Sequence, residues 1–120
     1  MTVDRLLYQM GFTSNYVGYW YIRYALELCD KDPMIMTRIK KELYPSIADK
    51  FCVTEESVER AIRRLITISW KNDGRQAMER LLHRHLPEPP SNGRFISALS
   101  VYIHHSHIRL DNPISEQTVH

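Results

Sequence analysis

Cysteine is scarce: the chain has two, Cys29 and Cys52, and no CxxC spacing. That excludes a cysteine zinc cluster and a disulfide framework, and each thiol is expected to be a small buried or half-buried hydrophobe. No apolar run approaches the ~20 residues of a membrane span. The opening, MTVDRLLYQMGF, lacks the basic start and long apolar stretch of a signal peptide. A cytoplasmic location is therefore expected. There is no Gly-rich phosphate loop, no GxSxG, no HExxH and no carboxylate pair with a supporting constellation. Neither an enzyme nor a cofactor is expected. Strand signals are scarce, and there is no internal repeat or long low-complexity segment.

With those classes set aside, 120 residues imply one domain with a core large enough to need no metal or disulfide. The net charge is only +2, but its distribution is uneven. From Ile35 to Arg84 there are eleven Lys or Arg against seven Asp or Glu, so the middle is +4 and the flanks together are −2. A basic centre attracts phosphates, although a solvated helical surface carries similar mixtures.

The apolar spacing predicts an all-α chain, a compact bundle of about six helices. A short helix over 2–10 has Leu6, Leu7 and Met10 on one side, with Gly11 as its stop. Thr13 or Ser14 is expected to cap a helix over about 15–30, in which Tyr16, Trp20, Tyr21, Tyr24 and Leu28 recur at core spacing. Asp32-Pro33 starts the next helix, and Pro45 predicts a break at Tyr44. A short helix over about 45–51 buries Ile47, Ala48 and Phe51, and Cys52-Val53 make a turn. Thr54 caps a long helix over about 55–71 with Val58, Ile62, Leu65, Ile66 and Ser69 inward. Asp73 is expected to cap a helix near 75–85, with Ala77, Met78, Leu81 and Leu82 inward. After the proline-rich LPEPPSNG, a last helix over about 93–108 turns Phe95, Leu99, Tyr102 and Ile103 inward. The expected division is one domain over 1–110 and a polar, frayed tail over 111–120.

Within this series, 43–71 reads as a helix-turn-helix, two helices joined by a tight turn. Ala48 is small where the helices cross, and Cys52 stands where glycine is common because such turns need φ > 0, so either Cys52 carries about 1 kcal/mol of strain there or the turn has another geometry. The second helix leaves Ser57, Arg60, Arg63, Arg64, Thr67 and Lys71 outward. Residues early on such a helix meet base edges in the major groove, and later basic ones meet phosphates. Glu59 can accept from a cytosine amine, and Arg60 or Arg63 can fork onto guanine. The candidate DNA-binding set is Lys50, Ser57, Glu59, Arg60, Arg63, Arg64 and Lys71. The same residues also fit intrahelical pairs, Glu56–Arg60, Glu59–Arg63 and Glu59–Arg64.

The histidines form HRH at 83–85 and HHSH at 104–107. His104 and His107 have i,i+3 spacing, but no acidic or thiol partner stands at a diagnostic distance, so no metal site is assigned.

The segments GYWYIRYALEL at 18–28, LYPSIADKF at 43–51 and VERAIRRLITISW at 58–70 resemble, in order and spacing, the C-terminal DNA-binding effector domains of stage-zero sporulation response regulators. LLYQMGF at 6–12 resembles that family's first helix and RFISALSVYI at 94–103 its last. The resemblance covers roughly 1–110. It implies a sequence-preferring transcription regulator that binds double-stranded promoter DNA at short sporulation-control boxes, with copies associating in tandem along the DNA. Glu59, Arg60 and Arg63 match motif positions tied to DNA contact. Ser57 stands where the family has a basic base-reading residue, and Arg64 where His is frequent. Base preference is thus expected to be altered and phosphate binding retained. The family's domain follows a phosphoacceptor receiver, for which these residues have no room, so the chain is read as an excised fragment or a stand-alone relative. The rival reading is a protein-interaction module that modulates a full-length regulator or docks through the Tyr-rich helix.

Overall fold

The computed structural model describes residues 1–110, and the tail expected at 111–120 lies outside them. Helix α1 spans Val3–Gln9, with the Thr2 hydroxyl accepting from the Arg5 N–H at 3.3 Å. Leu6, Leu7 and Met10 are buried, and Gly11 ends the turn at φ 86°, a conformation open to glycine without steric cost.

Helix α2, Val17–Lys31, departs from expectation at its start and in its rotation. Neither Thr13 nor Ser14 caps it; Tyr16 stands at the cap with no side-chain bond, and its N–H bonds the Thr13 carbonyl. Its inner face is Tyr19, Tyr21, Ile22, Ala25, Leu26 and Cys29, while Tyr16, Tyr24 and Leu28 are half-buried and Trp20 is 42% exposed. Gly18 explains the rotation. A Cβ there would lie 2.5 Å from the Ala61 carbonyl oxygen, so bare backbone is what meets the long fourth helix. The line Gly18, Ile22, Ala25, Cys29 follows that contact inward, and the bulky rings are displaced to the flanks.

Asp32 accepts from the Met34 N–H at 3.1 Å, and Pro33 opens a 3₁₀ segment, Pro33–Thr37. The chain breaks at Arg38 (φ −132°, ψ 47°) and not at Tyr44. A wide turn over Ile39–Leu43 runs directly into α3, Tyr44–Phe51, and Tyr44 is helical at φ −62°, ψ −43°. Its N–H bonds back five residues to the Ile39 carbonyl. The widened turn makes room for the Pro45 ring, which would otherwise crowd the carbonyl four residues earlier.

Helix α3 closes on Cys52 in the left-handed conformation (φ 56°, ψ 48°), as the turn required, with the Val53 N–H on the Ala48 carbonyl at 3.0 Å. Cys52 itself is exposed, contrary to expectation, whereas Cys29 is buried. Thr54 then caps α4, Glu55–Ser69, accepting from the Ser57 N–H at 3.1 Å. Val58, Ile62, Leu65, Ile66 and Ser69 are all buried, as the spacing predicted.

A second wide turn, Trp70–Gly74, follows. Asp73 has φ 74° and does not cap; Gly74 begins α5, Arg75–Leu82, without a side-chain cap. A Cβ at Gly74 would lie 2.1 Å from the Ser69 hydroxyl oxygen, so the tight fold-back excludes any other residue unless the turn shifts. Helix α5 ends at His83 (φ 55°), short of the expected 85, with Met78 buried and Ala77, Leu81 and Leu82 half-buried. Ser91 caps α6, Asn92–His105. Phe95, Ile96, Leu99 and Ile103 face inward, while Tyr102 points out at 42% exposure and His107 lies past the helix end.

The described chain is all-α; its one β-type contact is an isolated parallel bridge between Thr2 and Arg109. No helix among these residues is long and apolar enough to cross a membrane. One charged group sits inside: Arg23, whose side chain is 8% exposed. Its guanidinium reaches Asp4 at 2.9 Å, Glu27 at 2.8 Å and the Leu110 carbonyl at 3.0 Å, and Tyr19 also donates to Asp4. Burial pushes the Asp4 pKa up, but the bonds from Arg23 and Tyr19 and the Arg23 charge hold it below the usual carboxylate range.

Candidate nucleic-acid interface

The outer surface of α4 follows from its inner one. With five positions buried, the opposite side is centred on Arg60 and flanked by Glu56, Ser57, Arg63, Arg64 and Thr67. Packing against α2 and α3 fixes that face rigidly, and the cap at Thr54 fixes its first turn. The Thr54 hydroxyl also donates to the Ser57 oxygen at 2.8 Å, so Ser57 is bound into the cap and offers its own hydroxyl outward.

Arg60 and Arg64 are exposed and have no carboxylate partner among the described residues. Of the three expected intrahelical pairs, one forms: Arg63 donates to Glu59 at 2.6 Å. A pair this exposed contributes only about 0.3–0.5 kcal/mol, so Arg63 can be transferred to a phosphate at little cost. Glu59 stands at the edge of the face and is half-buried.

Two expected members stand apart. Lys71 is exposed, but in the turn beyond α4, roughly 20 Å along the axis from Ser57 at about 1.5 Å per residue. Lys50 belongs to the last turn of α3, and its ammonium lies 5.7 Å above the Tyr24 ring. The structure thus gathers Ser57, Glu59, Arg60, Arg63 and Arg64 on one helix, with Lys50 and Lys71 at separate places.

Spacing along α4 did not identify what braces this face from the side. Asn92, buried at the start of α6, donates to the Glu59 carbonyl at 3.0 Å and to the Tyr44 hydroxyl at 3.2 Å. It ties α3, α4 and α6 together beneath the Glu59–Arg63 pair. Burial pushes the Tyr44 pKa up, and the Glu59 charge adds to the effect, so this hydroxyl stays protonated. The Ser-Asn-Gly cap signature before an apolar run was the available sequence signal for a helix start here. It carries no information about partners 33 and 48 residues away.

The histidines do not converge. His104 and His105 rings lie 5.8 Å apart, edge to face, and His107 is off the helix. Among the described residues no three His, Cys, Asp or Glu side chains gather where an ion could be held.

A model of the family described as sporulation initiation factor Spo0A C terminal matches residues 3–103.

Proposed function

Because the chain belongs to the sporulation initiation factor Spo0A C-terminal family, we propose that it is a DNA-binding transcription regulator in which α3, the Cys52 turn and α4 work as a helix-turn-helix. In this reading residues 1–110 form one effector domain of about six helices, and α4 enters the major groove of promoter DNA. The observation that carries it is the row of exposed arginines on a helix whose other side is locked into the core. Arg60 and Arg64 have no competing carboxylate, and Arg63 has one that releases it cheaply. Ser57, Glu59 and Arg60 select bases, while Arg63 and Arg64 reach base edges or phosphates. Lys50, in the last turn of α3, and Lys71, in the turn beyond α4, serve as outlying phosphate contacts. Copies associate in tandem along DNA, and the nucleoid is the place of action.

The test is a fluorescence-anisotropy titration of a sporulation-control-box duplex and a scrambled duplex across a salt series. Wild type is expected to prefer the box, and its affinity to fall steeply with salt. Arg60→Ala with Arg63→Ala should reduce affinity by about 10- to 100-fold or more, at roughly 1–3 kcal/mol per good base contact. Undiminished binding by that double variant refutes the reading.

One observation favours an interaction module beside this. Tyr8 and Val17 are 52% and 54% exposed near Trp20, and Tyr8 and Trp20 both bond Ser14, which fixes them as a patch. A partner captured there would bind with little dependence on salt, unlike DNA.

A further inference from the structure

Beside the α4 face runs an open groove between the Glu59–Arg63–Thr67 edge of α4 and the proline-rich segment 86–90. Lys40, Arg84 and Arg94 also line it, coming from the wide turn before α3, the loop after α5 and the first turn of α6. All three are exposed, and none has a carboxylate partner among the described residues. Glu88 is the unpaired acid on the rim, and Glu59 is engaged with Arg63. Lys40, Arg84 and Arg94, from three separate parts of the chain, therefore join Arg63 of the proposed reading helix along this groove, four cations against two carboxylates.

We propose that this groove is a second nucleic-acid contact, in which Lys40, Arg84 and Arg94 bind the sugar-phosphate backbone of the strand flanking α4. The inference rests on the DNA-binding reading and extends it to residues outside the helix-turn-helix. The geometry is that of a helix about 10–12 Å across filling a major groove about 12 Å wide. The phosphates bordering the groove then pass immediately beside the helix, where laterally placed cations meet them. The Asn92 bonds to Glu59 and Tyr44 hold α6, and with it Arg94, at a fixed place relative to α4. The proline-rich wall loses little entropy on binding, since its backbone is already restricted. These contacts supply affinity and register without reading sequence.

The experiment compares wild type, the triple variant Lys40→Ala/Arg84→Ala/Arg94→Ala, Arg60→Ala, and a control carrying Arg5→Ala and Lys31→Ala on α1 and α2. Each is titrated against box and scrambled duplexes at several salt concentrations, with far-UV circular dichroism to verify the fold. The triple variant should weaken box and scrambled binding by the same factor, at least tenfold at low salt. It should also reduce the slope of log affinity against log salt by about 2–3, near one per lost phosphate contact. Arg60→Ala should narrow the difference between the duplexes, and the control should keep the wild-type slope to within about one. If the triple variant keeps that slope while Arg60→Ala loses selectivity, the groove inference is wrong and the reading helix stands. If wild type binds neither duplex at low salt, both fall. If the control lowers the slope as much as the triple variant, the effect is general charge and the groove has no special part.

Discussion

Replacing Gly18 with alanine tests the contact on which the position of α4 depends. The added Cβ would meet the Ala61 carbonyl oxygen at 2.5 Å, its carbon at 3.1 Å and the Leu65 Cβ at 3.3 Å. The nearest atom is backbone inside a helix, so no rotamer change relieves the clash. Overpacking of this kind costs about 1–3 kcal/mol. Alanine recovers less than ~1 kcal/mol of helix propensity, because Gly18 lies in the first turn of α2. The expected net loss is about 1–2 kcal/mol, read by urea unfolding. At about 4 °C per kcal/mol for a domain of this size, the melting temperature should fall by roughly 4–8 °C. Because the clash is with a carbonyl, Ala61→Gly should not rescue it. A Gly18→Ala protein that melts at or above the wild-type temperature would refute the account of why α2 is rotated as it is. So would full rescue by Ala61→Gly.

Two further outcomes follow from single residues. Asp4 has a pKa below its ordinary value when folded, so its contribution is complete above the unfolded carboxylate pKa near 4 and is lost as pH falls through the folded value. Asp4→Asn should cost about 1–3 kcal/mol at neutral pH, since Arg23 keeps Glu27 and the Leu110 carbonyl. The variant should also lose part of the acid-induced destabilisation in pH-dependent melts, and a profile parallel to wild type would count against the Arg23 network. Cys52→Gly relieves a left-handed non-glycine residue and should stabilise by up to about 1 kcal/mol in chemical denaturation. Destabilisation there would mean that the Cys52 side chain contributes more than its conformation costs.

The helix pair was legible because its signals are local and mutually consistent. The five inward residues of α4, the Thr54 cap and the φ > 0 turn at Cys52 all stand where spacing put them. What failed depended on distant partners. The aromatic stripe of α2 is longer and bulkier than its aliphatic stripe, yet the rotation is set by one glycine against α4. Pro45 was read as a break, but a five-residue hydrogen-bond step upstream absorbs its ring. Arg23 was not singled out at all, because nothing nearby in sequence shows that Asp4 and Leu110 close over it. The same holds for the candidate site. The arginines of α4 were readable from periodicity and family likeness, whereas Asn92, Lys40, Arg84 and Arg94 join them through tertiary folding alone.

The Thr2–Arg109 bridge has a topological consequence. The Val3 N–H bonds the Arg109 carbonyl at 2.8 Å, and the Arg109 N–H bonds the Met1 carbonyl at 3.2 Å. The backbone between them is thus almost a ring, fastened by two hydrogen bonds. A short peptide joining residue 110 to residue 1 would close it with little loop entropy. New ends cut between the exposed Pro87 and Glu88 would give a circular permutant with the same helices in a different order. The ring also localises mechanical load. Pulling on residues 1 and 110 strains that two-bond clasp, with the Arg23 contact to Leu110 beside it, before force reaches the α2–α4 core.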